Sequence, residues 1–117
     1  FRALFSPHGR LVPTGRTPEG RAVLREWSPE EYLAQAGARL ERDGFFEREI
    51  ARRVERYGDV VHVFSTYESR RTASLDEKPF ARGINSIQLW FDGARYWIVS
   101  IFWQGETREL PIPAEYL

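Results

Sequence analysis

The chain has 117 residues, 17 basic and 17 acidic side chains, two histidines and no cysteine. That length fits one domain with its own core. Balanced charge gives no field that would gather nucleic acid or an acidic membrane. The lack of cysteine excludes disulfides and thiolate metal sites, and two histidines are too few for an ordinary zinc centre.

No apolar run approaches the roughly 18 residues of a membrane span, and no signal peptide is visible. The expectation is a cytoplasmic domain with no metal and no cofactor. Methionine is absent, so Phe1 reads as an internal position. Residues 1–5 read as the end of an amphipathic helix that begins upstream.

Ser6, Pro7 and Gly9 mark a turn. Residues 10–13 read as a short edge strand, because Pro13 cannot donate to a central ladder. Residues 14–20 read as a loop. The clearest helix start is Ser28-Pro29-Glu30-Glu31: Ser28 as N-cap, Pro29 in the first turn and Glu31 completing a capping box. The helix is expected to run to about Arg42, with Leu33, Ala36 and Leu40 as its apolar stripe and Gly44 as its stop.

Residues 45–57 fit two patterns. Phe46, Ile50, Val54 and Tyr57 follow a helical period, yet the first three also share one face of a strand. The density of charge favours helix. Residues 60–70 are strand-like, rich in β-branched and aromatic side chains. A polar loop follows over residues 71–79. Residues 80–90 and 95–103 read as a hairpin closed by Asp92-Gly93.

A two-residue turn at Asp92-Gly93 sets Phe91 opposite Ala94 and Asn85 opposite Ser100. It gives one face carrying Asn85 and Ser100, and another rich in Trp90, Trp97 and Trp103. The first face is assigned to the helix-covered side. The second, with interface-like composition, is assigned to dimerisation.

These strands in this order resemble the nuclear transport factor 2-like superfamily, and within it the bacterial polyketide cyclase/ketosteroid isomerase-like proteins. The matching stretches are residues 1–12, 58–70 and 80–103, with a familiar closing segment at 111–117. The resemblance implies an α+β, cystatin-like domain: a cone-shaped, strongly bent antiparallel sheet wrapped around N-terminal helices. It implies a pocket at the mouth of the cone, frequent homodimers, a first long helix upstream of Phe1, and a strand over residues 45–57. Its members include isomerases, dehydratases, cyclases and pure binding domains, so fold does not choose the activity.

The family's isomerases use a carboxylate base with tyrosine and carboxylic-acid donors. No matching carboxylate is evident in the last two strands. The catalytic candidates are therefore Tyr67 with His62 or Glu68. His62 and Glu68 are six residues apart, about 20 Å along an extended strand, so they do not touch. The plainer reading of His62 is a histidine tucked into the sheet or dimer face. Arg82 at a pocket rim would suit an anion, although a surface ion pair explains it as well. Gly83 marks a bulge or a close approach of backbone.

The ligand-binding candidates are Trp27, Tyr32, Tyr67, Asn85, Ser100 and Phe102. The dimer candidates are Trp90, Trp97 and Trp103. The leading expectation is a homodimeric domain that binds a small hydrophobic molecule. The alternatives are an isomerase, dehydratase or cyclase acting on a hydrophobic cyclic substrate, and a dimerisation scaffold. A carboxylate or histidine inside the cone with a shifted pKa favours the enzyme; a lining of aromatic, Asn and Ser side chains alone favours the binder.

Overall fold

A computed structural model describes all 117 residues. Six strands form one open sheet: β1 (Phe5–Arg16), β2 (Ala22–Leu24), β3 (Phe46–Tyr57), β4 (Val60–Arg70), β5 (Ala81–Phe91) and β6 (Tyr96–Gly105). Their order is β2-β1-β6-β5-β4-β3. The expected α+β class holds. The sheet is mixed rather than wholly antiparallel, because β1 runs parallel to β6. One helix, α1 (residues 29–43), lies between β2 and β3. No helix is long and apolar enough to cross a membrane.

α1 begins as its sequence dictates. The Glu31 amide donates to the Ser28 hydroxyl at 3.1 Å, and the Ser28 amide donates to the Glu31 carboxylate at 2.8 Å. Its middle departs from the expected stripe. Leu33–Gly37 widens into a π turn between two α segments, Pro29–Tyr32 and Ala38–Asp43. The wider turn changes which side chains align, as an inserted residue would. Tyr32 and Ala36 face the sheet, and Leu33 is left 47% exposed. Gly44 ends the helix at φ 83°, a conformation glycine adopts without steric cost. A Cβ at this position would also run into the Arg71 carbonyl.

Residues 45–57 settle as strand, closed onto β4 by a two-residue connection that pairs Tyr57 with Val60. Two expected turns fall differently. Residues 6–9 stay inside β1, where they form a bulge: Phe5 pairs with Ile98, and Arg10 already pairs with Ser100. The β5–β6 hairpin has a four-residue connection rather than two, with Phe91 opposite Tyr96. The Asp92 carboxylate accepts the Ala94 and Arg95 amides, at 2.8 and 2.9 Å, and so stabilises the longer loop.

Two further bulges each leave one residue unpaired, Ile50 in β3 and Val99 in β6. Each reverses the facing of every residue beyond it. Past Val99, Trp103 pairs with Asn85, and Ser100 pairs with Gln88.

The fully buried set is small, 13 of 117 residues, and much of it lies on β4: Val61, Ser65, Thr66, Tyr67, Ser69 and Arg70. A cleft, not a packed core, therefore separates α1 from the sheet. The C-terminal segment covers the opposite, convex face. There Thr66 donates to the Tyr116 carbonyl at 2.6 Å, and Tyr116 packs edge-on against Phe64.

Gly83 lies against the Tyr67 ring and the Gln104 carbonyl, with no room for a methyl group. Gly83→Ala is expected to lower unfolding free energy by about 1–3 kcal/mol, the usual cost of overpacking, measured by urea denaturation.

Candidate functional site

The cleft between α1 and the concave face of the sheet has a volume of about 1170 Å³. Each wall follows from strand alternation and the bulges. β5 supplies Asn85 and Ile87, β6 supplies Ile101 and Trp103, and β4 supplies Tyr67 and Ser69. The helix side is aromatic. Trp27 is tied to Leu11 by a two-way backbone bridge at 2.8 and 2.9 Å. Its ring lies 6.0 Å from Tyr32, and Tyr32 meets Trp103 edge-on at 6.1 Å.

Glu47, at the start of β3, is the carboxylate in this cleft. It pairs with Ser69 and is the diagonal neighbour of Tyr67, itself opposite Glu49. Water in the cleft reaches Glu47, which is exposed by surface area. Nearby protein atoms still strip part of its hydration. That desolvation raises its pKa above the ordinary 4.5, with a partial offset from the Asn85 amide. Burial also pushes the Tyr67 phenol up to about 12, and the nearby Glu47 charge and Tyr32 add to the shift. Tyr32 is raised by burial and by Glu47, and Arg39 works the other way. Glu47, Tyr67 and Tyr32 thus share one electrostatic environment, and both phenols stay protonated near neutrality.

Glu49, two residues along, behaves oppositely. Burial would raise it, but the Ser65 hydroxyl at 2.5 Å and the Arg52 guanidinium at 2.6 Å together hold it low. Two carboxylates on one strand are thus pushed in opposite directions by their surroundings.

Of the ligand candidates read from the sequence, Trp27, Tyr32, Tyr67 and Asn85 come together in the cleft. Ser100 and Phe102 do not. The Val99 bulge turns them to the convex face, where Ser100 donates to Gln88 at 2.9 Å and Phe102 is 44% exposed. The same bulge brings Trp103, expected on the dimer face, into the cleft wall. Trp90 and Trp97 pair on the convex face. Arg95 lies 3.7 Å over the Trp97 ring, and the Trp97 indole donates to Asp92 at 2.7 Å.

The catalytic candidates His62 and Glu68 alternate with Tyr67 and so lie on the convex side. His62 meets Ser86 at 2.9 Å, and Glu68 accepts Arg70 at 2.9 Å. Neither joins Tyr67 in the cleft. Arg82 is held by Glu106 through two contacts, at 3.0 and 3.2 Å, which makes it a structural ion pair. No group of three or more potential ligands forms a metal site.

No protein-family model matches the sequence, and no curated protein does. Solved structures do match. A protein of unknown function with a cystatin-like fold from Nostoc punctiforme is 13% identical, with TM-score 0.66 over 92% of this chain and 74% of its own. The chain has the cystatin-like, nuclear transport factor 2-like fold. A protein described as the β subunit of a putative aromatic-ring-hydroxylating dioxygenase, from Novosphingobium aromaticivorans, is 17% identical, with TM-score 0.62 over 95% and 81%. A nuclear transport factor 2-like protein of unknown function from Shewanella baltica is 9% identical, with TM-score 0.54 over 91% and 75%. At these identities the likeness concerns fold alone.

Carboxyl carbon NMR is expected to show Glu47 titrating above 4.5 and Glu49 below it. The consequence for stability has a definite sign. The folded chain holds the Glu47 proton more tightly than the unfolded chain does. That contribution is complete below 4.5 and is lost as pH rises through the raised folded value. Glu47→Gln is therefore expected to melt higher, relative to wild type, at pH 7 than at pH 4, measured by thermal unfolding.

Proposed function

We propose that this domain binds a small, largely apolar molecule in the cleft and exchanges a proton with it through Glu47. The observation that carries the reading is a single carboxylate in an aromatic-walled cleft, with its pKa raised above the ordinary carboxylate value. Asn85 and the protonated Tyr67 hydroxyl supply hydrogen-bond donors on the same wall. With a carbonyl ligand, the Glu47 carboxylate would take a proton from the adjacent carbon. The carbon–hydrogen electron pair would move into the enolate, and Tyr67 or Asn85 would stabilise the resulting oxyanion. Return of the proton to the same or another carbon completes exchange or isomerisation, with no oxidant or metal required. The resemblance to isomerase- and cyclase-type folds agrees with this chemistry, while Glu47 replaces His62 and Glu68 as the acid–base group.

The test is hydrogen–deuterium exchange at the α-carbon of 2-tetralone in heavy water, followed by NMR. Wild type is expected to accelerate exchange, with a rate that rises as pH passes through the Glu47 pKa. Glu47→Gln is expected to lose about 10²–10⁴-fold, the usual worth of a positioned general base. Retained binding without accelerated exchange would leave a binding domain. Absence of both would remove the reading.

The convex face supports a homodimer. Val60 and its cross-strand partner Trp90 are 68% and 45% exposed there, and Phe102, beyond the Gln88–Ser100 pair, is 44% exposed. Trp90→Glu combined with Phe102→Glu is expected to convert a dimer to a monomer in sedimentation velocity. A wild type that sediments as a monomer would refute the pairing.

A further inference from the structure

Gly15 is a strand glycine that the chain itself does not require. It lies near the end of β1, pairs with Val23 of β2, and follows Leu11 and Pro13 along the concave side, where all four line the cleft. Glycine inside a strand weakens it, because it is conformationally loose and packs nothing. Among the nine glycines, Gly15 alone combines a φ outside the left-handed region with no atom within 4 Å of the place a Cβ would take. The chain would accept a side chain there. The space that side chain would fill belongs to the cleft.

Two further glycines continue the gap. Gly83 and Gly105 pair across β5 and β6. Gly15 is level with Gly105, one residue beyond the Thr14–Gln104 pair of β1 and β6. Three adjacent strands thus present bare backbone on one line, which is a groove but not by itself a site. Tyr67 supplies the second observation. Its ring reaches from β4 over Gly83, and its hydroxyl stops between β5 and β6, 3.9 Å from the Cβ position of Gly105. The residue is 8% exposed, and the hydroxyl makes no hydrogen bond to the chain. No sealed polar side-chain atom lacks a partner, so this oxygen opens onto the cleft. The ring therefore fills the β5 end of the groove and aims its donor along the rest. About one and a half strand spacings, roughly 7 Å, remain uncovered over β6 and β1. Trp103 and Pro13, paired with each other, border that stretch on its inner side, and Val23 closes its far end.

We propose that this groove takes a flat, ring-bearing molecule with a carbonyl oxygen, the oxygen accepting from Tyr67 and the ring lying on the Gly105–Gly15 backbone beside Trp103. This deepens the proton-exchange reading and rests on the cleft being a ligand site. A protonated phenol donates one hydrogen bond, and bare backbone lets a ring approach where any side chain would hold it off. Tyr67 rather than Asn85 then receives the oxygen, and position 15 sets the width of molecule admitted.

The probes are 2-tetralone and 2-adamantanone, ketones of equal carbon number, one nearly flat and one globular, titrated calorimetrically into the whole chain. Wild type is expected to prefer the tetralone by about tenfold. Gly15→Val is expected to be at least as stable as wild type in urea, since valine suits a strand and meets open space, and to bind tetralone about tenfold more weakly because its methyl groups take the place of the ring. Gly15→Ala is expected to lose less in the same direction. Tyr67→Phe is expected to weaken tetralone binding by about 2–10-fold, the worth of one hydrogen bond. Equal affinity of wild type for the two ketones, undiminished tetralone binding in Gly15→Val or Tyr67→Phe, or destabilisation of Gly15→Val would overturn the groove assignment and leave the cleft reading intact. Failure of both ketones to bind wild type would overturn the two together.

Discussion

Two single-residue bulges decide what this cleft contains. A strand shows alternate side chains to opposite faces, so one unpaired residue exchanges the faces of all that follows. Counted from the tight β3–β4 connection without a bulge, Glu47 would stand opposite Arg70. The extra residue at Ile50 sets it opposite Ser69 instead, on the side of Tyr67. The extra residue at Val99 does the same in β6, delivering Ile101 and Trp103 to the cleft and removing Ser100 and Phe102. Both bulges also increase local twist, which helps an open sheet curve around a single helix.

The constellation is then held by features remote from it. Tyr67 lies close against Gly83 because position 83 carries no side chain. Glu47 follows α1 by a few residues, and the junction is clamped: Arg71 donates to the Gly44 carbonyl at 3.2 Å, and its own carbonyl closes over the Gly44 Cα. The loop that carries Arg71 is fixed in turn by Glu77, which accepts the Thr72 hydroxyl at 2.6 Å and the Thr72 amide at 2.9 Å. The end of the helix, the start of β3 and the loop after β4 therefore form one joint. Movement of α1 over the cleft would carry Glu47 with it.

Much of the scaffold was legible in the chain because its signals are local. The capping box at Ser28, the stop at Gly44, the strand composition of residues 60–70 and the hairpin around Asp92 each declare themselves within a few residues. Tyr32, Tyr67 and Asn85 could be assigned to the cleft because no bulge separates Tyr67 from Asn85 in the β4–β5 ladder. Glu47 was not legible. On an unbroken β3 the visible alternation sets Phe46, Ile50 and Val54 on one face, and the natural inference turns that apolar face inward. In the fold Phe46 and Val54 are 49% and 53% exposed. The signal available was the pairing arithmetic of β3 against β4, which places a carboxylate near Tyr67 only once an unpaired residue is admitted. Neither Ile50 nor Val99 differs in type from its strand neighbours. The choice to bulge is made by the whole sheet.

The contrast between Glu47 and Glu49 gives the functional reading its physical basis. A carboxylate on an edge strand normally costs little, since water solvates it and a neighbouring arginine pairs with it. Glu49 follows that rule, with both oxygens engaged by Arg52 and Ser65. Glu47 breaks it two residues away. It is desolvated in part and receives only an amide in return, although Arg48 is its neighbour on the same strand. A fold selected for stability alone would be expected to pair that charge or replace it with an apolar side chain against Tyr67. The site keeps instead an acid that binds its proton more tightly than an ordinary glutamate does, on the wall of an open cleft with aromatic sides. A carboxylate so placed carries a cost in its ionised form that Glu49, engaged by Ser65 and Arg52, does not, and that difference is what the proposed proton exchange at Glu47 rests on.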